Sequence, residues 1–173
     1  MKSLLKKKVT MTLESSNSKT YFELLDGRAE ELHFKQVAPT QFTVSDSEFS
    51  LKSGISVDLE IMNVELEATS TVLWPGQTIR VRGGVHGQGE PIKASATIPF
   101  GKQIADGVKG ESWLYWVVET PEGTLHNKQP IHMTGTLTSL PPKDATFTSQ
   151  GTIALYNEED VQVGTLYGCL QSN

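Results

Sequence analysis

The amino-acid sequence predicts an all-β protein, an antiparallel up-and-down β-barrel of about 8–10 strands, with a two-sheet β-sandwich as the alternative. Three observations support this prediction. Apolar and polar residues alternate with a period of two along most of the chain. Turn-forming residues, including 15 Gly and 8 Pro, separate the alternating segments. No segment keeps the periodicity of an amphipathic helix beyond a turn or two.

The predicted strands follow one another along the chain, with a loop and one helical turn around Ile104 between the middle ones. They cover residues 9–13, 20–25, 32–37, 42–51, 55–61, 64–74, 79–82, 92–98, 112–120, 131–137, 147–156 and 161–170.

The most regular alternation contains a change of phase. Apolar residues occupy odd positions up to Ile61 and even positions from Val64 onward. Successive side chains of a strand point to opposite faces, so the apolar face continues only if a residue is inserted or the chain turns back. We expect a β-bulge at Met62-Asn63 within one long, bent strand, because Met is a poor residue for a tight hairpin turn. Such strands are typical of barrels, which favours the barrel over the sandwich.

Length and charge limit the class of protein. The 173 residues are enough for one hydrophobic core, so we predict a single barrel domain over residues 1–173, with residues 1–8 as a flexible basic N-terminus. The net charge is −5, and the only basic cluster is Lys6-Lys7-Lys8. Nucleic-acid binders use a basic surface to hold phosphates, so we expect no nucleic-acid partner.

The location of the protein is predicted from what the sequence lacks. No apolar segment follows Lys8 as it would in a secretory signal, and no apolar run is long enough to cross a membrane. A single cysteine, Cys169, excludes an intramolecular disulfide and lies in a strand-like pattern, where we expect a small core residue. We therefore predict a cytoplasmic protein with no membrane partner.

Motifs for metal or cofactor binding are absent from the sequence. The four histidines do not have the spacing of zinc ligands. The glycine-rich residues 83–89 precede a strand, whereas nucleotide-binding loops precede a helix. We predict no metal and no cofactor.

The segment 112–119 is apolar on both faces. Trp113 and Tyr115 alternate with Leu114 and Trp116, so each face carries large side chains. We expect both faces to be buried, the second one beneath a neighbouring subunit, the N-terminal segment or the loop 101–110. Ordinary core, an oligomer interface and a ligand cavity remain three interpretations of this segment.

The final predicted hairpin carries a resemblance to known families. Residues 155–168 form a strand, the polar turn Asn157-Glu158-Glu159-Asp160, and a second strand that begins Val163-Gly164. This pattern resembles lipocalin-like barrels and barrels of the allene-oxide-cyclase type, which include dirigent proteins and spirotetronate cyclases. The resemblance implies a barrel around an apolar cavity, in which several members fold a reactive substrate without a cofactor.

The first functional hypothesis is a barrel that binds an apolar small molecule, with cofactor-free cyclase or isomerase activity as its enzymatic form. The aromatic residues expected near the cavity as ligand-binding residues are Trp113, Tyr115, Trp116, Tyr156 and Tyr167. The candidates for polarising a substrate carbonyl, as catalytic residues, are Tyr115, His132 and Tyr156.

Two other hypotheses use the same aromatic residues differently. The first is a non-catalytic assembly protein, for example a homodimer, that uses strand 113–118 as its oligomer interface. The second is a carbohydrate-binding sandwich with an exposed Trp74 as its platform.

Overall fold

The computed structural model describes residues 9–45, 48–50 and 54–173. These residues form β-strands and one 3₁₀ turn, Ile104–Asp106, at the predicted helical turn. No helix among them is long and apolar enough to cross a membrane. The predicted flexible N-terminus, residues 1–8, and residues 46, 47 and 51 of the predicted strand 42–51 lie outside the described residues.

The strands are numbered in chain order, and their bounds are as follows: β1 (Val9–Leu13), β2 (Asn17–Leu24), β3 (Ala29–Gln36), β4 (Thr40–Val44), β5 (Glu48–Ser50), β6 (Gly54–Ile61), β7 (Asn63–Thr69), β8 (Thr78–Gly84), β9 (Ile92–Ile98), β10 (Val108–Leu114), β11 (Trp116–Thr120), β12 (Gly123–Asn127), β13 (Ile131–Leu137), β14 (Thr146–Ser149), β15 (Thr152–Tyr156) and β16 (Gln162–Ser172).

Eight of these strands close into a ring. Their order is β2, β3, β7, β8, β11, β12, β15 and β16, and β16 pairs antiparallel with β2 to complete it. Every neighbouring pair in this order is antiparallel, and the order follows the sequence, as in an up-and-down barrel. The predicted barrel is therefore confirmed, and the sandwich alternative is wrong.

The strands of the ring continue beyond it. After a short interruption, seven of them extend into β1, β4, β6, β9, β10, β13 and β14, while β16 runs through with a register shift between Tyr167 and Leu170. The extensions pair in the same order as the ring strands that they prolong, and β5 adds to the edge of β6. The fold is thus a barrel of eight long strands, each bent or shifted at one level.

The interruption between β6 and β7 confirms the β-bulge predicted at Met62-Asn63. The two strands do not pair with each other, because β6 lies between β4 and β9 while β7 lies between β3 and β8. Met62 belongs to neither strand; its N–H donates to Gln41 O at 2.8 Å, and its carbonyl accepts from Val85 N at 2.9 Å. The inserted residue lets Ile61 and Val64 both face the barrel interior.

The interior contains two hydrophobic clusters, one on each side of the bend. The ring encloses most of the larger cluster, which includes Phe22, Phe34, Leu66 and Trp116 and extends to residues of β9, β10 and β13 next to the bend. The extensions enclose the smaller cluster, which includes Phe42, Leu59 and Leu137. Ile61 and Phe147 pack against both clusters, so these two side chains lie at their boundary.

A buried carboxylate fixes the turn between β7 and β8. Glu30 is 9% exposed and accepts hydrogen bonds from the Ser70 hydroxyl at 2.7 Å and from the backbone N–H groups of Thr71, Val72 and Leu73 at 2.8–3.1 Å. Burial alone would raise the pKa of Glu30, but the bonds from Ser70 and from these N–H groups outweigh it and lower the pKa to about 2. The charged form of Glu30 therefore stabilises the fold.

We expect Glu30→Gln to lower the free energy of unfolding at neutral pH by about 2–3 kcal/mol, because the neutral Gln side chain loses the stabilisation that the surrounding hydrogen-bond donors give to the charged carboxylate. The folded-state pKa of about 2 lies below the ordinary value of 4.5, so this stabilisation is present above pH 4.5 and is lost as the pH falls towards 2. Urea denaturation of wild type and variant across this range measures the difference. Glu23→Gln on the exposed face of β2 is the control, and an equal effect of both changes would contradict the prediction.

Candidate functional site

A cavity of about 100 Å³ lies inside the barrel at the boundary between the two clusters. Its base consists of residues of the larger cluster, Val64, Leu66, Leu114 and Trp116. The bend creates this space. The ring is narrow enough for its own side chains to fill its interior, while the extensions pack around a separate cluster. The cavity therefore rests on the packed ring.

Two glycines shape one wall of the cavity. Gly110 on β10 and Gly135 on β13 are directly opposite each other, and the ring of Phe147 on β14 lies against both. A methyl group at Gly135 would lie 2.8 Å from Phe147 Cδ1 and 2.4 Å from the carbonyl oxygen of Thr146. The missing side chains thus let the Phe147 ring approach both strands closely at the edge of the cavity.

The extended part of the barrel has one unpaired strand edge. Among the described residues, β1 pairs only with β4, and its other edge faces no strand. The cavity-lining residues near this edge are Leu13 at the end of β1, Leu140 and Pro142 in the loop after β13, and Gln171 and Asn173 at the end of β16.

Trp116 is held at the base of the cavity by two side chains at the bend. Asn127, which is fully buried, accepts from Trp116 N at 2.7 Å and donates to Leu114 O at 3.0 Å and Gln129 O at 2.7 Å. Gln88 donates to Trp116 O at 3.1 Å and to Asn127 O at 3.0 Å. The interruption between β10 and β11 leaves these backbone groups without strand partners, and Asn127 and Gln88 replace them.

The inside of the cavity holds little acid–base chemistry. Among its described lining residues the one carboxylate is Glu111, which binds Lys109 at 2.7 Å and His132 at 3.1 Å; these bonds, that to Lys109 first, hold its pKa below the ordinary value. Since Lys109 and His132 are on the outer face, the Glu111 carboxylate is occupied there. The other polar side chains of the lining are hydroxyls, such as that of the buried Ser112, the amides of Gln171 and Asn173, and the indole of Trp116.

The expected cavity position of Trp113, Tyr115 and His132 is wrong. Trp113 stacks on His132 with ring centroids 5.4 Å apart, and Tyr115 is 36% exposed. Trp113 and Tyr115 lie on the outer face, because the buried residues of their segment have even numbers, and His132 lies on the outer face between the buried Ile131 and Met133. Only the inner face of the segment, with Leu114 and Trp116, is buried. The expectation that both faces are buried is therefore wrong, because the outer face is partly exposed.

The expected cavity position of Tyr156 and Tyr167 is also wrong. Tyr167 stacks on Tyr21 with centroids 5.2 Å apart, and Tyr156 lies beside His126 and beneath the Lys128 ammonium group, 4.4 Å from the ring centroid. Their neighbours Leu155 and Leu166 are the residues that face the interior. Of the five predicted ligand-binding aromatics, the structure brings only Trp116 to the cavity.

Trp74 and Cys169 are both buried. Trp74 is 6% exposed and donates to Glu122 at 2.6 Å, so it offers no platform for a sugar, and that expectation is wrong.

The Cys169 thiol lies against the hydroxyls of Thr20 and Ser18, and burial raises its pKa, as is typical of an unreactive core cysteine. No three His, Cys, Asp or Glu side chains of the described residues come together as metal ligands would.

A second depression lies on the outer face beside Trp113 and Tyr115. It is an open groove of about 1080 Å³ that also contacts Asp58, Glu90 and Lys93. The groove is larger than the interior cavity, but its lining is mixed in polarity. The interior cavity is better suited to an apolar ligand, because its walls are apolar and the barrel surrounds it.

Sequence reasoning missed Asn127, Phe147 and the two glycines of the wall. A signal existed for Asn127, because it has the same parity as Leu125 and so belongs to the inner face of β12. No comparable signal marked Phe147, whose place at the cavity depends on Gly110 and Gly135, two residues on other strands.

We expect Asn127→Ala to lower the free energy of unfolding by about 2–4 kcal/mol, because it leaves the buried Trp116 N–H and Leu114 carbonyl without partners. Thermal and urea denaturation measure the loss. Gln129→Ala, which removes an exposed side chain two residues away, is the matched control. It should change the free energy of unfolding by less than about 0.5 kcal/mol, as is usual for a surface substitution. Equal stability of the two variants would show that Asn127 does not support the bend.

Comparison with known proteins gives a likeness of fold. No protein-family model matches the sequence, and no curated protein sequence matches it. Among solved structures, the chain is similar to DynF, a barrel-fold protein from the dynemicin biosynthesis pathway of Micromonospora chersina, with a TM-score of 0.74 and 15% sequence identity. The match covers 96% of this chain and 79% of the DynF chain. At this identity the likeness shows a shared barrel fold.

Proposed function

We propose that this protein binds an apolar small molecule in the cavity inside its barrel. The observation that carries the proposal is a largely apolar cavity between the two clusters inside the barrel, in which residues of the ring and of its extensions form the lining. A protein interior is normally packed without such space, and an unfilled cavity lowers stability. The DynF likeness supports the proposal, because DynF comes from a pathway that makes a natural product.

The size of the cavity limits what it holds. Its volume of about 100 Å³ is below that of an engineered cavity of about 150 Å³ that binds benzene, and well below the pockets of drug-sized ligands. The buried part of the ligand is therefore at most one ring, or a short branched chain. A longer molecule would leave its remainder in the opening near Leu13 and Leu140.

We extend the proposal to a cofactor-free cyclase or isomerase that acts by shape. The described lining of the cavity offers hydroxyls, amides and an indole, while its one acidic side chain, Glu111, is bound by Lys109 and His132. Catalysis in this cavity would come from holding a flexible substrate near its reactive conformation and away from water. The outer-face residues Tyr115, His132 and Tyr156 have no part in it, because they lie outside the barrel.

Filling the cavity tests the proposal. We expect Ser112→Leu to weaken the binding of one-ring ligands such as toluene at least tenfold, because the larger side chain occupies the cavity. Thr136→Leu, on the exposed face of β13, is the control and should bind as the wild type does. Tryptophan fluorescence follows the titration, since Trp116 lines the cavity. Wild-type protein that binds none of a panel of such ligands, or a Ser112→Leu variant that binds them unchanged, contradicts the proposal.

A second function, assembly of a homodimer, is favoured by the outer face of β10 and β11. Tyr115 is exposed there and Trp113 is partly exposed, and aromatic residues are enriched at protein interfaces. Trp116 does not belong to this surface, because it is buried in the core.

Light scattering after size-exclusion chromatography tests the assembly hypothesis. If the face forms a dimer, Tyr115→Glu should turn a dimeric wild type into a monomer, because a charge would be buried in the interface. Thr136→Glu on the exposed face of β13 is the control and should leave the mass unchanged. A wild type that is monomeric at high protein concentration contradicts this hypothesis and leaves the ligand proposal intact.

A further inference from the structure

The Ser112 hydroxyl is a buried polar group without a hydrogen-bond partner among the described residues. Ser112 is 9% exposed and lies on the inner face of β10, between Gly110 and Leu114. The residues directly opposite it are Ala94 on β9 and Met133 on β13. None of these four neighbours has a polar side chain, so the surrounding walls give the hydroxyl no group to bond.

The hydroxyl of Ser112 adjoins the interior cavity. Ser112 lines this cavity together with three of its four neighbours, Ala94, Gly110 and Leu114. Its side chain is short and points into the barrel, so the small part of its surface that remains exposed faces this space. An unpaired buried hydroxyl lowers stability, and an alanine would fill the same position without that loss.

Two other polar side chains of the lining already have partners within the protein. The Thr40 hydroxyl donates to Gln36 Oε1 at 3.3 Å. The Gln171 amide donates to Ser16 Oγ at 3.0 Å. Both groups are therefore satisfied at the rim of the cavity without a ligand.

The remaining polar side chains of the lining do not offer a buried, free group. Glu111 is bound on the outer face, and Ser95, directly opposite it on β9, has the same outward direction. The indole N–H of Trp116 is enclosed by the core, and Asn173 is partly exposed at the end of the described chain. Ser112 is thus the side chain of the described lining that is both buried and able to bond a molecule in the cavity.

A single water molecule would satisfy this hydroxyl poorly. A buried water usually makes about two to four hydrogen bonds to polar groups, and the inner face around Ser112 supplies one. An oxygen on an apolar ligand needs only that one bond, because the apolar walls hold the rest of the molecule.

We propose that the Ser112 hydroxyl forms a hydrogen bond with the ligand, which is therefore an apolar molecule with one oxygen on its buried part, as a carbonyl, ether or hydroxyl group. The serine donates to a carbonyl or ether oxygen, and with a ligand hydroxyl it either donates or accepts. This inference rests on the proposed function, because it concerns the ligand of the same cavity. It adds a selectivity that apolar walls alone do not give, since a hydrocarbon leaves the serine unpaired.

Three ligands with one carbon skeleton test the inference. Acetophenone carries a carbonyl, 1-phenylethanol carries a hydroxyl, and ethylbenzene carries no oxygen. We expect Ser112→Ala to lower the affinity for at least one of the oxygen-bearing ligands, relative to ethylbenzene, about fivefold to tenfold, as one net hydrogen bond would. Comparing this ratio between wild type and variant cancels the different hydration of the ligands. Thr136→Val, which removes a hydroxyl from the exposed face of β13, is the control and should leave the ratios unchanged.

The outcomes separate the inference from the proposed function. Ratios that stay the same in Ser112→Ala for both oxygen-bearing ligands, or a wild type that binds ethylbenzene alone, overturn the hydrogen bond and leave the binding function standing. Wild-type protein that binds none of the three overturns both.

Thermal unfolding without ligand gives a second readout. If the hydroxyl has no partner in the protein, Ser112→Ala should unfold at the wild-type temperature or above it. A clearly lower unfolding temperature would show that the hydroxyl already has a partner in the protein, and it would overturn the inference.

Discussion

The bend shared by neighbouring strands is the constraint on which the rest of the structure depends. Seven strands are interrupted between the ring and its extensions, and β16 shifts register at the corresponding place. If one strand bent alone, it would lose its pairing with both neighbours, so the interruptions must occur together. Two hydrophobic clusters with a boundary between them follow from this geometry, and the cavity lies at that boundary.

The bend requires buried polar side chains, because interrupted strands leave backbone groups unpaired inside the protein. Asn127 and Gln88 form hydrogen bonds with the backbone at the start of β11 and at its neighbour β12. The Ser149 hydroxyl accepts from Cys169 N where β16 shifts register. These side chains hold the backbone on either side of the cavity in place. The base of the cavity is consequently rigid, which suits a site that recognises its ligand by shape.

The sequence predicted the parts of the fold that depend on alternation alone. The change of phase at Met62 was sufficient to predict the bulge, because each residue inserted into a strand moves all later side chains to the other face. Alternation could not decide which face of residues 112–119 is interior, since both faces carry large apolar side chains. The cavity was not predictable either, because its volume depends on distances between side chains from different strands. Alternation did contain a signal for Glu30, which has the same parity as Leu32 and Phe34 and therefore faces inward.

The pairing of β16 with β2 has a consequence for how the protein folds. The two strands belong to opposite ends of the strand order, and the buried contact between Thr20 and Cys169 joins residues 149 positions apart. Contacts between residues so distant in sequence form slowly, because a long loop must close before they contribute stability. On the ribosome, β16 also emerges after the strands that precede it. Until it does, β2 exposes an unpaired edge, and the chain is most susceptible to aggregation in this interval.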